Sequence, residues 1–145
     1  MDKEHKIFLI GCFITVSVIA YLLNWNFDSM ADTATTLVSI AVGVYIAAAS
    51  ALLGSPYAKE LKQTTDKKRT SNTLLGTLLD YFRHAGKLGI TTVIVSCLYK
   101  IPATYNVPII IARIGSAAAY GIFFCNILFL WLVFVFLVNS IEKSV

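Results

Sequence analysis

Hydrophobic residues fall in four long blocks separated by short polar stretches, and this alternation organises the chain. A polar lead, MDKEHK, precedes the first block at about 7–23, which is close to the ~17-residue lower limit for a spanning helix. That run is long for a signal-peptide core and no A-x-A cleavage site follows it, so it is expected to stay as a first span. The second block covers about 34–53, the third about 86–101 and the fourth about 112–138. The expected fold is therefore all-α: one four-helix membrane domain over 1–145, with a polar loop at 54–87 between two hairpins.

Within the second block, Ser39, Gly43, Ala47 and Ala51 recur every fourth residue, and Ser50 pairs with Gly54 in the same way. One helical face is lined with small side chains, the pattern that lets two backbones approach closely in lipid. This row is expected to pack against another helix, in the same chain or in a second copy. The fourth block is small at its start (Gly115, Ser116, Ala117, Ala118, Ala119, Gly121) and bulky afterwards (Phe123, Phe124, Phe129, Trp131, Phe134, Phe136). It is expected to pack through its first half.

The central loop divides in two. Pro56 ends the second helix or starts a new turn that Ser55 could cap, and 63–73 is polar without apolar periodicity, an expected exposed turn. From Leu74 the spacing becomes helical: Leu74, Leu78 and Phe82 fall on one side, while Asp80, Arg83, His84 and Lys87 fall toward the other. That predicts an amphipathic helix at the interface or in the cytoplasm, running without a breaker into the short third span. Gly86 and Gly89 mark a possible bend between the two parts. In the first short connection, Asp32 and Thr33 are expected to cap the second helix, and Trp25 sits where an interfacial aromatic is expected.

Composition agrees with the pattern. The chain is 57% hydrophobic and 14% charged, with a mean hydropathy of +0.74. A soluble domain averages roughly 45–50% apolar and about 25% charged. Three cysteines, Cys12, Cys97 and Cys125, each lie inside an apolar block. That excludes a disulfide framework or a paired-cysteine metal site and leaves them as small packing residues.

Charge placement adds orientation. Of twelve Lys and Arg residues, Lys3 and Lys6 precede the first block and Lys143 follows the last. Lys59, Lys62, Lys67, Lys68, Arg69, Arg83 and Lys87 lie in 54–87, and only Lys100 and Arg113 fall on the opposite side. Ten against two is a positive-inside bias that puts both termini and the central loop in the cytoplasm of a bacterial-type inner membrane.

Candidate chemistry is sparse. Arg113 is the one cation within the apolar flow of a block, five residues after Pro108. It either snorkels to the interface or lines the mouth of a pore. His84 and Arg83 lie within reach of Asp80 on one helix face, which reads as a solvated basic face before it reads as an acid–base site. His5, in the polar lead, supports no role. No GxSxG, HExxH or glycine-rich phosphate loop is present and no intramembrane carboxylate pair, so no enzyme, metal or cofactor is expected. The basic residues of 54–87 either orient the chain, attract anionic lipid or dock a cytoplasmic protein. Lys67, Lys68 and Arg69 lack the interleaved aromatics of direct nucleic-acid reading.

In size, four-span plan and the 54–87 loop, the chain resembles the membrane subunit of two-gene antiphage systems of the Kiwa type. The resemblance covers architecture and no alignable motif. It implies membrane-level sensing of infection and recruitment of a cytoplasmic effector. The expected function is a non-enzymatic, homo-oligomeric scaffold or sensor that docks a soluble partner through its basic loop. Two alternatives stand beside it: a holin-like or abortive-infection pore, and a toxin-immunity or exclusion protein acting within the bilayer.

Overall fold

The computed structural model describes residues 3–65, 73–101 and 108–142. Among them are five helices: α1 (Lys3–Leu22), α2 (Asp28–Gly54), α3 (Tyr57–Gln63), α4 (Leu74–Lys100) and α5 (Ile109–Glu142). There is no strand among the described residues. An isolated antiparallel bridge joins Thr65 to Thr73, and the Leu74 amide donates to the Thr64 carbonyl at 3.0 Å.

By length and composition α1, α2 and α5 can cross a membrane, over His5–Leu22, Asp28–Gly54 and Ile109–Val135. These bounds match an apolar, multi-pass protein. α4 is as long as α2, with 27 residues, but it carries Asp80, Arg83 and Lys87 in its first half and Lys100 at its end. The expected interfacial helix and third span are therefore one continuous helix. The helix continues unbroken through both glycines.

Successive long helices run antiparallel. α1 lies along α5, α5 along α4, and α4 along α2. α5 is the shared wall, which explains why it packs along both halves: Ala117 and Ala119 are buried early, and Phe123, Phe129 and Val133 later. Packing confined to its small-residue half is corrected by that position between two neighbours. Trp131 and Phe134 still face outward, their rings 6.3 Å apart.

Local signals differ from expectation at both ends of α2. The helix starts at Asp28, where Asn26 Oδ1 accepts from the Asp28 amide at 3.1 Å. Asp32 and Thr33 thus lie inside the helix rather than capping it. At the other end Ser55 Oγ donates back to the Leu52 carbonyl at 2.7 Å. Ser55 therefore closes α2, and α3 begins after Pro56 without a side-chain cap. Thr73 caps α4, its hydroxyl accepting from the Gly76 amide at 3.2 Å.

Candidate functional site

Close packing between neighbouring helices depends on small residues. A Cβ on Gly89 would stand 2.4 Å from Val42 Cγ2 of α2, and one on Gly121 would stand 2.4 Å from Ser17 Oγ of α1. Gly89 is thus a point of helix contact. The buried face of α2 is Ala31, Ala34, Val38, Ala41 and Tyr45. Ser39, Gly43, Ala47 and Ala51 lie on the other side and are exposed, and a Cβ added at Gly43 meets nothing within 4 Å. Within this chain the small-residue row is thus left exposed, with Ser39 facing a cleft between α2 and α4.

At mid-bundle a polar cluster joins α4 to α5. Asn126 is buried and donates through Nδ2 to the Thr92 hydroxyl, with the Leu88 carbonyl also at 3.3 Å. Its Oδ1 has no partner among the described residues, nor does the buried Ser96 hydroxyl. The signal available in the sequence was a lone amide side chain inside an apolar run, the kind of residue that joins helices in lipid.

The end of the bundle where α4 begins is basic. Lys59 and Lys62 on α3 and Arg83 and Lys87 on α4 are all exposed, and α3 is held down by buried Leu61. Lys67, Lys68 and Arg69, and Lys143 in the tail, lie outside the described residues. Arg83 pairs with Asp80 at 3.6 Å, while His84 Nδ1 contacts the Asp80 backbone carbonyl at 2.7 Å rather than its carboxylate. His5, which the sequence left without a role, meets Tyr81 of α4 with Nδ1 2.5 Å from the hydroxyl. Tyr81 in turn sets its ring edge against Phe129 of α5, so three helices meet at one level.

That level matters for what lies beyond it. Tyr45 packs against Phe82, next to Tyr81, so residues 46–54 of α2 extend past the first turn of α1 by about 13 Å at 1.5 Å per residue. The start of α4, α3 and the end of α5 extend with them.

The opposite end is closed by aromatics and one ionic link. Phe27 is fully buried, with Tyr99 and Tyr120 rings at 5.3 and 5.2 Å; Trp25 also packs on Tyr120 at 5.3 Å. Lys100 lies 3.0 Å from Asp32 and 3.9 Å from Asp28. Arg113 is exposed there, with no ion pair among the described residues.

No grouping of three His, Cys, Asp or Glu side chains that could hold a metal occurs among the described residues. Cys125 is buried and Cys97 exposed, both as free thiols. Compared with protein-family models, curated proteins and solved structures, the chain matches none.

Proposed function

We propose that this chain is a four-span, non-enzymatic membrane scaffold whose cytoplasmic end is a raised platform for a soluble protein partner. One observation carries it. The antiparallel order gathers the start of α1, α3 and the first half of α4 at one end, and the exposed Lys59, Lys62, Arg83 and Lys87 lie there.

Distances along the helices support a membrane slab ending below that platform. From Lys6 to Leu22 α1 offers roughly 24 Å, with Trp25 in the turn just beyond its end, and from Arg113 to Trp131 α5 offers roughly 27 Å. Both are close to a hydrocarbon thickness of about 30 Å. The tryptophans then lie in the two interfacial belts, and Arg113 snorkels at the outer one. In α4 the run from Lys87 to Lys100 gives roughly 20 Å, short enough to thin the bilayer locally. The turns of α4 up to Tyr81 stand at the headgroups or above them, while Lys87, about 9 Å below the level where His5 meets Tyr81, snorkels up to the headgroups, and these charges are why that helix alone fails the composition of a span. Lys59, Lys62, Lys67, Lys68, Arg69, Arg83 and Lys87 then face cytoplasm and anionic headgroups.

The exposed row Ser39, Gly43, Ala47 and Ala51 favours self-association through α2. The Kiwa-type resemblance points to an effector of antiphage defence as the soluble partner. Labelling in intact cells tests the topology, with the native cysteines replaced and Asp28→Cys or Lys62→Cys introduced singly. Asp28→Cys is expected to react with an impermeant maleimide from outside, and Lys62→Cys only after permeabilisation. Reaction of both from outside removes the platform. Co-purification then tests docking: neutralising Lys67, Lys68 and Arg69 should release the partner, and unchanged capture removes the docking role.

A further inference from the structure

An open cleft of 230 Å³ lies between α2 and α4, lined by Ser39, Val42, Ile90, Val93 and Ile94. Four of the five are aliphatic, so the cleft suits a hydrocarbon segment. The same stripe of α4 continues into charge. At 100° per residue, Arg83 and Lys87 stand within roughly 60° of both Ile90 and Ile94 around the helix. Lys87 is about 4.5 Å and Arg83 about 10.5 Å further along the axis than Ile90, toward the basic end. One side of the bundle thus has an apolar cleft with two cations directly beyond its mouth.

The charges there are not cancelled. Asp80 takes up Arg83 at 3.6 Å, whereas Lys87 is exposed and has no ion pair among the described residues. Asp80, Arg83 and Lys87 sum to −1 + 1 + 1 = +1, with His84 neutral. A neutral lipid leaves that charge uncompensated. A second copy of the chain seated in the cleft would fill it with side chains but close over Lys87, a costly arrangement in lipid. An anion joined to an alkyl chain satisfies both halves at once.

We infer that the α2–α4 cleft is a site for an anionic phospholipid, with its phosphate at Lys87 and Arg83 and one acyl chain laid between Ser39, Val42, Ile90 and Ile94. The inference rests on the membrane-spanning reading above and adds a specific lipid position to it. The lipid would wedge beside α2 next to the exposed small-residue row, so its occupancy bears on self-association.

Native mass spectrometry of the full chain in mild detergent tests it, with phosphatidylglycerol and phosphatidylcholine of identical chains supplied in equal amounts. Phosphatidylglycerol is expected to be retained about fivefold over phosphatidylcholine, the scale of one basic residue's attraction to anionic lipid. Arg83→Gln with Lys87→Gln should equalise the two, while Ser39→Leu, at an exposed position, should lower retention of both by filling the cleft. Equal retention by the unaltered chain overturns the site, as does a preference that survives the double glutamine variant. So does a lipid-free dimer, which would assign the cleft to a second copy, or release of the lipid by millimolar inorganic phosphate. A chain that stays soluble without detergent overturns the spanning reading instead, and that failure is distinct from a detergent-bound chain lacking lipid preference.

Discussion

Asn126 of α5 donates its side-chain amide to the hydroxyl of Thr92 on α4, thirty-four residues away in sequence, inside an apolar contact. The Thr92 hydroxyl donates in turn to the Leu88 carbonyl at 2.9 Å, so the cluster ties a side chain of one helix into the backbone ladder of the other. Interhelical hydrogen bonds in lipid average about 0.6 kcal/mol and reach about 1.7. Thr92→Val keeps the volume and should cost about 0.6 kcal/mol, whereas Asn126→Ala also opens a cavity and should cost about 2 kcal/mol. Reversible unfolding in mixed micelles measures both. Equal, negligible losses would show that the cluster does not hold α4 to α5.

Gly89 and Gly86 separate contact from hinge. A Cβ at Gly89 runs into Val42, whereas one at Gly86 meets nothing within 4 Å. Gly89→Ala should therefore push α2 from α4 and cost about 1–3 kcal/mol, the range for overpacking a core. Gly86→Ala should stabilise by about 0.5–1 kcal/mol, since a mid-helix glycine gives up more backbone freedom than alanine. The same unfolding assay reads both. The reverse order of the two would restore the bend that the sequence suggested.

These two glycines also indicate how much was legible beforehand. Apolar length marks the helices well, because a run of some twenty hydrophobic residues has few other uses. What a glycine or a small row does depends on which neighbour arrives, and that is a property of the fold. α2 is small on two faces: Ala31, Ala34 and Ala41 are buried in the bundle, while Ser39, Gly43, Ala47 and Ala51 are exposed. Nothing in their spacing distinguishes the two. His5 is similar, since its partner Tyr81 lies seventy-six residues away. The start of α2 was missed for a local reason, as Asn26 and not the later Asp32 receives the first amide.

Lys100 reaches both Asp32 and Asp28 across the gap between α4 and α2. All three side chains are exposed, so the link should orient more than it stabilises. Lys100→Glu places a third negative charge there and should loosen the join between these helix ends, read as faster proteolysis at 102–107. Adding Asp32→Lys should restore the parental cleavage rate, because the ionic pair is re-formed with its signs exchanged. A double variant cleaved as fast as the single one removes the link.

The free row on α2 offers the sharpest test of self-association. Gly43 is exposed and a side chain there has open space, so Gly43→Leu should leave the folded monomer intact and, as at Gly86, stabilise it by about 0.5–1 kcal/mol. If two copies meet through Ser39, Gly43, Ala47 and Ala51, the same leucine holds their backbones apart, because close approach needs small side chains on that face. The dimer fraction measured by single-molecule photobleaching in lipid should then fall about tenfold, corresponding to roughly 1.4 kcal/mol. Ala47→Ile, one turn along the same row, should act in the same direction. Ile40→Leu, also exposed on α2 but outside the row, should not. Loss of dimer in all three variants, or in none, would mean that the row is a lipid-facing surface and that any assembly uses another face.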